Sequence, residues 1–174
     1  MARLSDTKAR IQAVARELFL EQGVQNTSLK QISDRLGITK PALYYHFESR
    51  DDLVRSIIQP LIDDLEAFVA AREPGDGRRL LEDYFDLTWR HREVIMLVLH
   101  APATLVELDL MDRMWAWRKQ LTALLLGPAP STAARIHATV ALGGMSDCVV
   151  EHAALPFDEV KSAAVEAALT VLSL

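Results

Sequence analysis

The segment GITKPALYYHF, residues 37 to 47, holds the side chains whose types and spacing could do chemistry. Lys40 and Tyr44 are four apart and share one helical face, while Leu43 and Phe47, also four apart, share another. The apolar pair predicts an inward anchor; Lys40 and Tyr44, flanked by Pro41 and Tyr45, are left pointing outward. An outward face on a short, well-anchored helix suits insertion into the major groove of DNA, where base edges present hydrogen-bonding groups and methyls. Other reactive residues form nothing comparable. Asp86, Glu93, Cys148 and five histidines can titrate, yet no spacing makes a metal-ligand pair, a phosphate-binding glycine loop or a nucleophile motif. His91 and Glu93, two apart on a helix, face different sides. Catalysis, a metal site and a cofactor are therefore not expected.

The elements that must position residues 37 to 47 are helical. Ile11, Val14, Ala15, Leu18 and Phe19 fall on one stripe of a helix over about 6–22, and Gly23 sits where a C-terminal cap belongs. Asn26, Thr27 and Ser28 offer cap oxygens before Leu29, Ile32 and Leu36, which predicts a short helix over 28–36 stopped by Gly37. Thr39 caps a third helix, with Pro41 in its first turn, ending at 45 or 46. Three short helices, the last two joined by a tight turn at Gly37, read as a helix-turn-helix. Beyond them the pattern predicts helices over 49–72, 78–92, 93–100, 103–126, 131–153 and 157–172, with Pro60 bending the first of these. No alternating strand pattern appears. The expectation is an all-α protein of about nine helices, divided into a helix-turn-helix domain over 1–48 and a helical regulatory domain over 49–174.

Composition sets the class. The 174 residues are half hydrophobic and a quarter charged, the balance of a globular protein. One cysteine excludes an internal disulfide and the paired thiolates of structural zinc. No run approaches the length of a membrane span and the N-terminus lacks the apolar stretch of a signal peptide, so a cytoplasmic protein without a membrane partner is expected. The net charge of −5 taken alone argues against nucleic acid. Residues 1–46, however, hold seven basic and four acidic side chains, a net of +3, which leaves −8 on the remainder. The acidic charge thus lies away from the helix-turn-helix.

The run TSLKQISDRLGITKPALYYHFESRDDLV, residues 27 to 54, preceded by AVARELFLEQG, resembles the DNA-binding domain of the TetR family of bacterial transcriptional regulators. The likeness covers about residues 8–58 and is most specific over Gly37 to Phe47. It implies that Thr27 and Ser28, with Tyr45, His46 and Arg50, hold phosphates, and that Lys30, Thr39, Lys40, Pro41, Ala42 and Tyr44 lie in or at the groove of double-stranded operator DNA. Long polar groups are few on the third helix, so direct readout is expected to be sparse and DNA shape to contribute. The resemblance further implies a homodimer built on the last two helices, with Ile136, Val140, Gly143, Gly144, Val160, Ala164, Ala167 and Val171 as its face.

In the middle helices the resemblance implies a pocket for a small apolar or aromatic effector. Aromatic and sulfur side chains suit its walls: Phe68, Phe85, Trp89, Met96, His100, Met114, Trp115 and Cys148. Trp115 and Trp117 face apart, so one of them lines the interior. The expected function is a repressor released from a pseudo-palindromic operator when effector binding changes the tilt of the fourth helix about Pro60. An activator or an effector-independent regulator of the same fold is the alternative.

Overall fold

The computed structural model describes residues 2–174, and side chains from Asp6 onward; that of Arg3, counted in the basic charge above, lies outside the described residues. Ten helices and no strand occur among the described residues: α1 Ala2–Gln22, α2 Leu29–Leu36, α3 Lys40–His46, α4 Arg50–Ala70, α5 Gly77–Arg90, α6 Arg92–His100, α7 Pro102–Glu107, α8 Met111–Leu126, α9 Thr132–Glu151 and α10 Phe157–Leu172. The single helix expected over 103–126 is two. Its break centres on Asp109, whose φ of 53° lies in the left-handed region that Asp tolerates better than most residues. The gain is burial of Leu105, Leu108 and Leu110 together; in an uninterrupted helix 108 and 110 would point to different sides.

Packing divides the chain into two compact units, residues 1–60 with 96–111 and residues 61–95 with 112–174. Within α4, residues as far as Pro60 belong to the first unit and those from Leu61 to the second. In the first unit, Ile11, Ala15 and Phe19 of α1 are buried with Ile32 of α2, Leu43 and Phe47 around α3, and Leu53 and Ile57 of α4. Residues 96–111 join this unit through Arg55, which donates to the Leu108 carbonyl at 2.7 Å, and Gln25, which donates to Glu107 at 2.8 Å.

In the second unit α9 packs on α10, and α5 lies against both. Two aromatic clusters fill it. Phe85, Trp89 and Phe157 have ring centroids 5.4–6.1 Å apart, and Tyr84 lies 6.3 Å from Phe68 and 6.2 Å from Trp117. The Tyr84 hydroxyl, pushed above its ordinary pKa by burial, meets the Ser146 hydroxyl at 3.0 Å. Ion pairs tie the rim. Arg113 of α8 donates to Glu66 at 2.6 and 2.7 Å and to Asp63 at 2.9 Å, both on α4.

The hydrogen bonds from Arg113 hold the Glu66 carboxyl below its ordinary value, against a smaller opposing effect of burial. A carboxyl held down stabilises the folded state above its unfolded pKa and loses that contribution as pH falls through the folded value. Because the Glu66 side chain is 40% exposed, solvent screens the effect and the contribution is modest. Arg113→Ala is therefore expected to lower the thermal midpoint slightly at pH 7. The difference from the parent protein should shrink as the pH drops below about 4.5; a pH-independent difference would show that packing of the Arg113 stem is responsible.

Candidate nucleic-acid interface

Local sequence explains how α2 and α3 are held. Ser28 forms a reciprocal cap on α2: its Oγ accepts from the Gln31 N–H at 3.2 Å, and Gln31 Oε1 accepts from the Ser28 N–H at 2.8 Å. Gly37 ends the helix at φ 67°, where a side chain would be strained, and Ile38 N–H returns to the Ser33 carbonyl at 3.1 Å. Thr39 Oγ1 then caps α3 by accepting from Ala42 N–H at 3.3 Å. Each apolar position of the turn is used. Leu29, Ile32, Leu43 and Phe47 are buried, the last two at 0% and 1% exposure.

That anchoring leaves one side of α3 in solvent. Lys40, Pro41, Ala42, Tyr44 and Tyr45 are all exposed, Tyr44 at 43% and Tyr45 at 74%. The Lys40 ammonium lies 5.5 Å from the centre of the Tyr44 ring, which biases both side chains to the same face. His46 is half-buried, its ring edge-on to Tyr45 at 5.3 Å. Ser28 and Thr39 are exposed at the starts of their helices. Lys30 is exposed but bonded to Asp34 at 2.6 Å, an exchangeable surface pair. Arg50 is half-buried; it donates to the Gln25 carbonyl at 3.4 Å and pairs with Asp51 at 3.6 Å, which ties the start of α4 to the loop before α2.

Thr27 corrects the expectation placed on it. It is 2% exposed, and its hydroxyl donates to the Gly23 carbonyl at 2.8 Å and accepts from Gln22 Nε2 at 3.1 Å. The side chain is turned inward to close the α1–α2 loop, so it cannot meet a phosphate. A Thr one residue ahead of a well-formed Ser cap is the signal that separates the two roles: only the cap itself sits at the helix opening.

The residues expected around an effector scatter. Phe68 and Phe85 are buried in the aromatic clusters, Trp89 is half-buried against Phe85 and Phe157, and Met96, Met114 and Cys148 are half-buried. Burial, the larger cause, and the neighbouring Asp147 carboxylate both push the Cys148 thiol above its ordinary pKa, so it is not a ready nucleophile. His100 and Trp115 lie on the surface of the protomer. His100 is exposed and bonded to the Met96 carbonyl at 2.8 Å, and Trp115 is 62% exposed. The interior tryptophan is Trp117, on the stripe with Leu121 and Leu125, a spacing of four that Trp115 does not share. Aromatic content therefore located core more than cavity. An apolar groove of about 530 Å³ is instead lined by Val69, Pro74, Gln120, Ala123, Leu124, Gly127 and Pro128, residues of helix ends and loops with no aromatic marker. Phe68 alone of the eight borders one of the described cavities, a charged cleft of about 370 Å³ shared with Asp64, Arg72, Asp83, Asp86, Leu87 and Arg90.

The expected dimer face also divides. Ile136 and Val140 are each 56% exposed, and Gly144 and Ala167 are exposed beside half-buried Gly143 and Val171. Val160 and Ala164, 4% and 6% exposed, are core of the protomer, on the buried stripe of α10 with Ala168.

Comparison with known proteins fits this geometry. Residues 11–57 match the family described as bacterial regulatory proteins, tetR family. The chain is 34% identical over 102 residues to the HTH-type transcriptional regulator AcrR of Shigella flexneri, covering 57% of this chain and 43% of that protein. It is 32% identical over 87 residues to the HTH-type transcriptional activator FasR of Mycolicibacterium smegmatis, covering 47% and 40%. The aligned region thus spans less than half the length of these curated relatives. In fold, the chain is similar to a transcriptional regulator of the TerR/AcrR family from Aquifex aeolicus, with TM-score 0.72, 23% identity and coverage of 92% and 96%. It is also similar to NalD, the secondary repressor of the MexAB-OprM multidrug efflux pump in Pseudomonas aeruginosa, with TM-score 0.65, 21% identity and coverage of 98% of each chain.

Proposed function

We propose that this chain, whose residues 11–57 match the tetR family of bacterial regulatory proteins, is a cytoplasmic transcriptional repressor of that family that binds double-stranded operator DNA as a homodimer and is released by a small apolar effector. The observation that carries the DNA-binding reading is the solvent-facing row Lys40, Pro41, Ala42 and Tyr44 on a helix fixed from behind by fully buried Leu43 and Phe47. Lys40 supplies a donor to guanine O6 or N7, and Pro41 and Ala42 offer apolar contact to a thymine methyl. Ser28, Tyr45, His46 and Arg50 hold the backbone and set register. The +3 charge of residues 1–46 assists by neutralising phosphates, while the acidic remainder disfavours contacts elsewhere on the duplex. No described helix is long and apolar enough to cross a membrane.

A gel shift with duplex fragments from upstream of the protein's own coding sequence tests this. Retarded complexes that survive nonspecific competitor at low salt are expected; their absence across those fragments would remove the operator reading.

Ile136, Val140 and Gly144, at i, i+4 and i+8 of α9, and Ala167 of α10 form the exposed apolar face on which a second copy would pair. Two-fold pairing presents two copies of α3 to successive half-sites. Ile136→Arg places a charge in this face while touching no core, so light scattering should report a monomer with unchanged helix content. A dimer that persists at micromolar concentration would locate the interface elsewhere. The effector reading is supported by the apolar groove. The activator alternative is favoured by the name of one relative, the activator FasR; a reporter driven by the bound upstream fragment, with and without the protein, gives the sign of control.

A further inference from the structure

Pro60 lies inside α4 and has no N–H, so it cannot donate to the carbonyl four residues earlier, that of Ser56. A side chain from another helix reaches that carbonyl. Gln12 of α1 places Nε2 at 3.2 Å from Ser56 O and 3.0 Å from Ser56 Oγ, and the two hydrogens of the amide serve both acceptors. Ser56 Oγ in turn donates to the Leu53 carbonyl at 2.7 Å. Gln12 and Ser56 are half-buried, between Ile11 and Ala15 on α1 and Ile57 on α4, all of which are buried.

We propose that Gln12 is a positioning residue: its amide replaces the hydrogen bond that Pro60 removes and thereby fixes residues 50–60 of α4 against α1. Without this contact the Ser56 carbonyl has no donor from Pro60 or from Gln12, and α1 no longer holds the segment of α4 before Pro60. With it, residues 50–60 of α4 move as one body with α1, α2 and α3. The inference deepens the regulator reading and rests on it for its functional consequence, although the contact itself does not depend on DNA.

A double-mutant cycle on the full chain tests it, using Gln12→Met, Pro60→Ala and the pair, with Gln12→Glu as a second variant that lacks the donor at nearly the same size. In the Pro60 protein, removal of the Gln12 amide should speed amide exchange over residues 53–59 by about fivefold. In the Pro60→Ala background, where the substitution restores a backbone N–H to serve the Ser56 carbonyl, the acceleration should be clearly smaller, since only the contact to Ser56 Oγ is then lost. The same acceleration in both backgrounds would mean that Gln12 only packs, and would overturn the proposal. Affinity for a retarded upstream fragment should fall about fivefold in Gln12→Met and return in the double variant; affinity unchanged in Gln12→Met would overturn the positioning role. If the parent protein retards no fragment, the regulator reading fails, while the exchange cycle still decides the contact.

Discussion

Phe47→Ala is expected to destabilise the N-terminal unit by about 3–5 kcal/mol, the largest effect of any single change considered. Phe47 is 1% exposed, closes α3 as its C-terminal cap residue, and has the Lys8 ammonium 5.4 Å from its ring centre. Its removal leaves a cavity where α3 is attached to the core, and α3 has only seven residues, too few to persist without that attachment. Amide exchange over residues 29–47 should accelerate toward the rate of an unfolded segment, while α9 and α10 keep their protection. DNA binding should vanish with it. Tyr45→Ala, two positions earlier but 74% exposed, is the control and should shift stability by no more than about 0.5 kcal/mol. Protection of α3 retained in Phe47→Ala would mean that the helix is held by something other than its apolar anchor.

Lys40→Ala and Tyr44→Ala are expected to do the reverse, leaving the fold intact and weakening DNA binding. Each lost base or groove contact is worth about 1–3 kcal/mol, and in the proposed two-fold dimer it is lost twice, so affinity should fall by about 30-fold to about ten-thousandfold. Both side chains are exposed and touch chiefly each other, so the unfolding midpoint should scarcely move. Anisotropy titration against a specific upstream duplex and against an unrelated duplex separates the roles. Lys40→Ala should narrow the gap between them, whereas Arg50→Ala should weaken both. Loss of the dimer, or of helix content, in either α3 variant would show that Lys40 and Tyr44 support the fold.

These two opposite expectations show what was legible in the sequence. Burial of Leu43 and Phe47 with exposure of Lys40 and Tyr44 follows from spacing alone, because a seven-residue helix has room for one inward pair. The caps at Ser28 and Thr39 and the glycine stop at Gly37 are local chemistry and were equally readable. Thr27 was not. Its residue type suits a phosphate contact, and only the return of the chain to Gly23 decides that the hydroxyl turns inward. The same holds for Asp109, where the left-handed backbone is stabilised by burying Leu108 and Leu110, a tertiary benefit with no local sign. Val160 and Ala164 show the limit for small apolar stripes: spacing identifies a packed face but not whether the same chain or a second copy covers it. Trp117 could have been separated from Trp115 by the Leu121 and Leu125 that share its stripe.

The arrangement gives the net charge a direction. A total of −5 conceals a positive head and an acidic remainder, so association with DNA should weaken steeply with salt even though the protein as a whole is acidic. In the proposed effector scheme, Pro60, the last α4 residue of the first compact unit, is the point at which the helix ladder lacks a donor. A ligand shifts the protein toward release only through unequal affinity for the two states. In that scheme the Gln12 contact keeps the segment of α4 before Pro60 held to α1.

The most direct test is selection of the parent protein against randomised double-stranded DNA at low salt. The expected result is enrichment of a two-fold symmetric site with half-sites about one helical turn apart, or a multiple of it. Each half-site should lose its base preference in Lys40→Ala. Enrichment of no sequence, or of one that lacks two-fold symmetry and is unaffected by Lys40→Ala, would contradict a dimer reading DNA through α3.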